Sequence, residues 1–329
     1  MTTPNRYALQ RYLLMTLDPV HPGAGGYRLG RVDNSIVRDP GTRLPKIPGS
    51  SLHGAARSYA AYLYETPVAA GQKQDNVPDP EQNPICYTFG YIKGKNADGS
   101  EQIAFSGVVN VFDAQILLFP VYSMLGPVWV STPQLLKDAG FKVQGKVLQD
   151  DQVMVTLKKP PQHINLGWLM LNSTPIPPRS PSDEGAADEG IQPPQEWQGE
   201  TWNVIKDHIV LVNDSLFSHI VNSNLEVRTS VAIDPATGAA TEHALYTYEA
   251  IPRATFLTTD VVLDDFRQQF PSNGKWENPL EVIKSGFKIM EYLGVGGMGT
   301  RGFGRVAIVG EPVEEDLLKG DQHKQEAKE

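Results

Sequence analysis

Between positions 294 and 304 the chain reads Gly-Val-Gly-Gly-Met-Gly-Thr-Arg-Gly-Phe-Gly, six glycines in eleven residues. Asn278 and Pro279 start a helix before it, running through Tyr292 and stopped by Gly294. Residues 305–309 read as a strand after it. Helix, glycines, strand is the reverse of the order in a dinucleotide-binding turn, and no Gly-Lys-Ser/Thr ending marks a P-loop. Glycines in such a loop permit close backbone approach to a polyanion, with Arg301 and Arg305 adding charge. A helix cap followed by a bulge also accounts for Gly294, but not for six glycines.

The same strand–helix alternation opens the chain. Residues 7–17 read as a strand, followed by a long Gly- and Pro-punctuated loop over 21–49, too long for an idle connection. Ser50 or Ser51 then caps a helix with Leu52, Ala55, Ala56, Tyr59, Ala60 and Leu63 at helical spacing. Residues 105–120 are strand-like, and Thr132-Pro133 starts a short helix. A strand over 209–212 precedes a helix capped by Asp214. Residues 225–233 and 244–251 flank the turn Asp234-Pro235-Ala236-Thr237-Gly238 as a long hairpin, and 255–263 form a further strand. The pattern predicts an α+β fold on a ferredoxin-like split βαβ sheet, decorated by insertions. Residues 72–84 read as a mobile insertion, and 171–195 as disordered or a surface excursion.

Charge is unevenly placed. The 329 residues carry a net −9, which taken whole argues against a nucleic-acid partner. The stretch 181–200, with six acids and no Lys or Arg, and the tail 311–329 together hold −10, leaving the body at +1. Within that body, 21–57 carries Arg28, Arg31, Arg38, Arg43, Lys46 and Arg57 against Asp33 and Asp39. The single cysteine, Cys86, reads as a buried small hydrophobe. It cannot form an internal disulfide, which makes a reducing compartment the default. A polar N-terminus and the absence of a long apolar run predict a soluble, cytoplasmic protein with no membrane partner.

Seven histidines lack paired metal-ligand spacing, which argues against a zinc enzyme. No Gly-x-Ser-x-Gly elbow is present. The segment 45–54 (Pro-Lys-Ile-Pro-Gly-Ser-Ser-Leu-His-Gly) starts a helix whose free N–H groups can face an anion, with Lys46, His53 and Arg57 neutralising phosphates. Taken alone, the segment also reads as a serine-capped helix after a proline turn. Asp33 in its basic loop is either a metal ligand or base, or a turn and salt-bridge residue. The hairpin is either a plain surface hairpin or an arm that contacts a neighbour or wedges between bases.

Together these segments resemble the RAMP superfamily of CRISPR proteins. His21-Pro22-Gly23 with Val32-Asp33-Asn34, Ile47-Pro48-Gly49-Ser50-Ser51-Leu52, and Gly302-Phe303-Gly304 before the last strand carry that likeness. Phe112-Asp113-Ala114-Gln115 through Val121, with Trp129-Val130-Ser131-Thr132-Pro133, is similar to the backbone subunit of the type III-B (Cmr) effector. Ile233-Asp234, Thr237-Gly238 and Glu249-Ala250-Ile251-Pro252 fit its hairpin.

The resemblance implies one modified RNA-recognition-type domain over 1–329, with insertions near 66–104 and 138–205 and an acidic tail at 311–329. A thumb hairpin over 225–251 would include Arg228, Ile233, Asp234, Pro235, Thr237, Gly238 and Tyr246. Copies of the chain would stack along one CRISPR RNA with other Cmr-type subunits, each thumb kinking the guide–target duplex. The paired target RNA would be cut at regular intervals, with Asp33 essential and a divalent metal such as Mg²⁺ required. His21, Lys46, Gly49, Ser50, Ser51, His53 and Arg57 would contact RNA, with Gly296, Gly297, Thr300 and Arg301 as a second cradle. His53 stands where the family usually has lysine, which weakens that contact. Three other readings remain open: a non-cutting scaffold, a Csm-like backbone subunit, and a metal-independent processing enzyme using His21 as acid or base.

Overall fold

The computed structural model describes residues 6–25, 32–71, 77, 79–91, 104–144, 149, 151–157, 159–176, 190–241, 245–272 and 274–315. Arg28 and Arg31, residues 181–189 of the acidic stretch and residues 316–329 of the tail lie outside them. So do 72–76 and 78 of the segment read as a mobile insertion.

Six elements form the frame: β1 (Tyr7–Thr16), α1 (Gly49–Leu63), β2 (Ala114–Ser123), β3 (Phe256–Asp264), α2 (Pro279–Leu293) and β4 (Val306–Ile308). Their strands lie in the order β4-β1-β3-β2, each pair antiparallel. One helix connects β1 to β2 and the other connects β3 to β4. Beyond β2 the sheet continues through Gly126–Ser131, Ile209–Leu211, Gln152–Val155, Leu169–Pro175 and His163–Leu166. Two of those pairings are parallel, so the twelve-stranded sheet is mixed and the fold is α+β.

Alternation along β1 explains the layering. Tyr12 and Leu14 face the α1/α2 side, where Leu52, Ala56, Ala60, Ile283, Phe287 and Met290 are buried with them. Leu13 points the other way, into a cluster with Leu117, Phe256, Trp197, Trp202 and Ile205. Trp197 and Trp202 come from the short helices Gln195–Trp197 and Glu200–Ile205, which cover the second face of the sheet. A strand buried on both faces needs an unbroken apolar run, which is why Tyr12 to Met15 carries no polar residue. The two long helices cross where Gly286 meets Ala56. A Cβ at 286 would stand 2.4 Å from the Ala56 carbonyl oxygen.

Several expectations are corrected. Neither Ser50 nor Ser51 caps α1, which begins at Gly49 behind Pro48 with no side-chain cap from the preceding residue. The cap comes from afar, since the Gly49 N–H donates to Asp113 Oδ1 at 2.7 Å. Asn213, not Asp214, caps the helix Asp214–Ser223, its side chain accepting from the Ser215 N–H. Leu169–Pro175 and Ile191–Gln192 are paired strands where an irregular excursion was expected. The strand expected over 105–120 is broken at Gly107 and Asp113 into three pieces. Cys86 is buried as expected, on the wholly buried helix Pro84–Phe89, and burial raises its thiol to about 11.

Candidate nucleic-acid interface

Three segments distant in sequence meet at one end of the frame: the loop of 20–25 and 32–38, the root of the 226–250 hairpin, and the glycine loop. Glu226–Ser230 pairs antiparallel with Tyr246–Ala250, from Glu226 opposite Ala250 to Ser230 opposite Tyr246. Ile233 bridges to Ala240 beyond, and Asp234 closes the turn. Its carbonyl accepts from the Gly238 N–H at 2.8 Å, and its carboxylate accepts from the Ala236 N–H and the Thr237 hydroxyl. Gly238 has φ of +69°, a value glycine adopts without strain. Val231, Ile233 and Leu245 are exposed on this hairpin.

The two faces of Tyr246–Ala250 do different work. Tyr248 and Ala250 are buried against Phe303 of the glycine loop, with Tyr246 and Met298 beside them. Thr247 and Glu249 point to the 32–38 loop. Asp33 is exposed, and its Oδ2 accepts from the Thr247 N–H at 2.7 Å and the Thr247 hydroxyl at 3.0 Å. The Asp33 N–H donates back to Thr247 Oγ1 at 3.1 Å. These bonds hold the Asp33 carboxyl below the usual carboxylate range, the Thr247 N–H contributing most. Asn34 adds a short parallel bridge to Tyr248, and Glu249 binds Arg38 at 2.9 Å.

The glycine loop is built for close backbone approach at particular positions. Gly296 has φ of +89°, and a Cβ there would meet the His21 carbonyl oxygen at 2.8 Å. The Gly297 N–H donates to that same oxygen at 2.9 Å. Part of the glycine density therefore serves the loop's own packing, while Gly299, Thr300, Arg301 and Gly302 are exposed. Arg301 hydrogen-bonds the Tyr246 hydroxyl and lies 5.7 Å from its ring centroid. Arg228 lies over Phe303 at 4.7 Å. Asp18 binds Arg305, which holds its carboxyl below the usual range, with Arg253 and Arg228 adding to the effect. Arg228, Arg253 and Arg305 thus act together on Asp18, Arg301 lies on the glycine loop itself, and Arg228 is also paired with Glu226.

The residues expected to contact RNA do not form one surface. His21 is buried, its Nδ1 2.6 Å from the Glu249 carbonyl oxygen and its ring edge-on to Tyr248, so as placed it is no accessible acid or base. Lys46 is not free, because its Nζ binds Asp113 at 2.6 Å. His53 packs edge-on to Phe89 at 5.0 Å, and burial with the neighbouring Arg57 charge lowers its pKa. Arg57 lies in the core, 7 % exposed, with Nε donating to the Ala69 carbonyl, which corrects its reading as a surface phosphate ligand. Ser50 is exposed and Gly49 borders a cleft of about 720 Å³ with Phe112, Asp113, Arg11 and Asp260, which Asp33 does not line. Ser51 is half-buried on the first turn. Thr247, Glu249 and Arg253 were missed. The polar–aromatic alternation of Tyr246–Ala250 was the available signal for the first two.

Among the described residues, no three His, Cys, Asp or Glu side chains come together to hold a metal. Asp33 offers one ionised carboxylate, which fits a magnesium ion that takes its other ligands from RNA phosphate and water. It does not fit a metal caged by protein alone.

The sequence model of the RAMP superfamily matches residues 13–307. The chain belongs to that superfamily. It is 27% identical over 314 residues to the CRISPR system Cmr endoribonuclease Cmr4 of Pyrococcus furiosus, covering 90% of this chain and 93% of the relative. A 67-residue stretch, 20% of this chain and 30% of the relative, is 43% identical to the Cms endoribonuclease Csm3 of Enterococcus italicus. The fold is similar to a type III-B Cmr-beta structure bound to cognate target RNA, at a TM-score of 0.60 and 14% identity, covering 92% and 96% of the two chains. It also resembles oligomeric Cmr4 from Pyrococcus furiosus, at 0.54 and 22%, covering 93% and 98%. No described helix is long and apolar enough to cross a membrane.

Proposed function

We propose that this chain is the repeated backbone subunit of a type III-B CRISPR ribonucleoprotein. In that role it binds CRISPR RNA and, once assembled, cuts complementary target RNA at regular intervals through Asp33. The observation that carries this reading is an exposed, ionised Asp33 fastened to the root of a projecting hairpin, beside an arginine-bearing glycine loop. The order β4-β1-β3-β2, with a helix in each crossover, supports a modified ferredoxin-like, RNA-recognition-type core. The 226–250 hairpin is then the thumb, and its exposed Val231, Ile233 and Leu245 supply an apolar wedge for a base step.

The chemistry follows from Asp33 being a weak base. A carboxylate with a lowered pKa abstracts protons poorly at neutral pH, so its part is electrostatic. Thumb-induced kinking brings a target 2′-hydroxyl in line with its phosphorus, an orientation worth about 7–11 kcal/mol. The O2′–P bond forms as the P–O5′ bond breaks, leaving a cyclic phosphate and a 5′-hydroxyl, with protons exchanged with solvent. Asp33 would hold a divalent cation, and that cation would supply positive charge where negative charge builds on the phosphate. Arg301, Arg228 and the exposed glycine-loop backbone would hold the guide by its phosphates, while base pairing reads the target.

The test uses complex assembled on a CRISPR RNA and given end-labelled complementary RNA with Mg²⁺ or with EDTA. Evenly spaced cuts that need the metal and vanish in Asp33→Ala, while the target still binds, are expected. Binding without cuts in wild type would leave a scaffold. Cuts that persist in Asp33→Ala would move the chemistry to another residue.

A further inference from the structure

Asp33 and Thr247 are 214 positions apart, yet three hydrogen bonds join them in both directions. The Thr247 hydroxyl accepts the Asp33 N–H and donates to Asp33 Oδ2, so one oxygen fixes both the backbone and the carboxylate of the same residue. The Thr247 N–H reaches that carboxylate oxygen too, and the Asn34 N–H donates to the Thr247 carbonyl at 3.0 Å. Two residues on, Glu249 repeats the attachment through Arg38. The loop pairs with itself through Gly23 and Ile36, but at Asp33 and Asn34 it is the hairpin strand that carries it.

We infer that Thr247 is a positioning residue for target cleavage: its hydroxyl locks Asp33 to the hairpin, so that the carboxylate stands at a set place relative to whatever the hairpin displaces. This rests on the reading of Asp33 as the cleaving residue. A carboxylate on a free loop would sample many positions, and orientation is the larger part of what such a site supplies. Thr247 needs no contact with RNA to act in this way.

Thr247→Val preserves shape and β-branching but removes the hydroxyl, whereas Thr247→Ser keeps it. In the assembled complex, Thr247→Val should bind guide and target as wild type does, yet cut at a single-turnover rate lower by about ten-fold or more. Thr247→Ser should recover most of that rate. In the free protein, amide exchange should quicken at Asp33, whose N–H loses its acceptor, but not at Asn34, which bonds the 247 carbonyl. Wild-type cutting by Thr247→Val, or equal loss in Thr247→Ser, would overturn the inference. So would unchanged exchange at Asp33. Undiminished cutting by Asp33→Ala would instead remove the parent reading, and the exchange measurement would still decide whether Thr247 holds the loop.

Discussion

Arg38 and Glu249 form an ion pair at 2.9 Å with side chains only 16% and 14% exposed, tying the Asp33 loop to the hairpin root. Arg38 also donates to Asn222 Oδ1 at 2.9 Å, which brings in the helix Asp214–Ser223. The pair therefore links three segments, the 32–38 loop, the hairpin and that helix. Removing one partner leaves a charge largely cut off from water. Glu249→Gln is expected to destabilise the protein by about 2–4 kcal/mol, read as a lower urea midpoint. The double variant Arg38→Met/Glu249→Leu should recover part of that loss.

Asp113 binds two groups that the sequence places in a different segment, the Gly49 N–H and the Lys46 ammonium. Burial opposes the charge on Asp113, but those bonds outweigh it and lower its pKa, while Lys46 is raised mainly by its bond to Asp113. A lowered acid stabilises the fold above its unfolded value of about 3.9 and loses that stability as pH falls through the folded value. A raised lysine stabilises below about 10.5 and loses it as pH rises through its folded value. Asp113→Asn should therefore cost about 1 kcal/mol, discounted for partial exposure. The gap to wild type should stay level between about pH 5 and 9 and narrow on either side. Urea unfolding across that range measures it.

Two glycines on the long helices should respond in opposite senses. Gly286→Ala drives a methyl into the Ala56 backbone and is expected to cost about 2–3 kcal/mol or prevent folding. Gly54 is exposed inside α1, and a Cβ added there would meet nothing within 4 Å. Gly54→Ala should stabilise by about 0.5–1 kcal/mol through helix propensity. Thermal unfolding of the two variants side by side separates close packing from propensity.

Arg301 is exposed on the glycine loop, held by the Tyr246 hydroxyl and ring. If it contacts a guide phosphate, Arg301→Ala should weaken RNA binding by a similar factor for every guide sequence. The slope of log affinity against log salt should also fall by about one contact. Filter binding across a salt series tests both statements.

Local pattern made most of the frame readable. Apolar spacing marked α1, Asn278-Pro279 and Thr132-Pro133 marked helix starts, and Gly294 marked a stop, all of which the structure bears out within a residue or two. Such signals are local because a helix or strand tests each residue against neighbours no more than four positions away. The stretch of 138–205 was harder to read, since most of its short strands gain their order by joining the sheet beyond β2 and its short helices by covering the second face.

What the sequence determined by itself was therefore the succession of the frame's elements, the glycine loop and the candidate Asp33. Tertiary structure decided the rest. It put Arg57 inside the core, paired Lys46 with Asp113, buried His21 against Tyr248 and set Thr247 on Asp33. A side chain finds such a partner only after the sheet has brought distant strands within about 3 Å of hydrogen-bonding contact, and no local periodicity encodes that meeting.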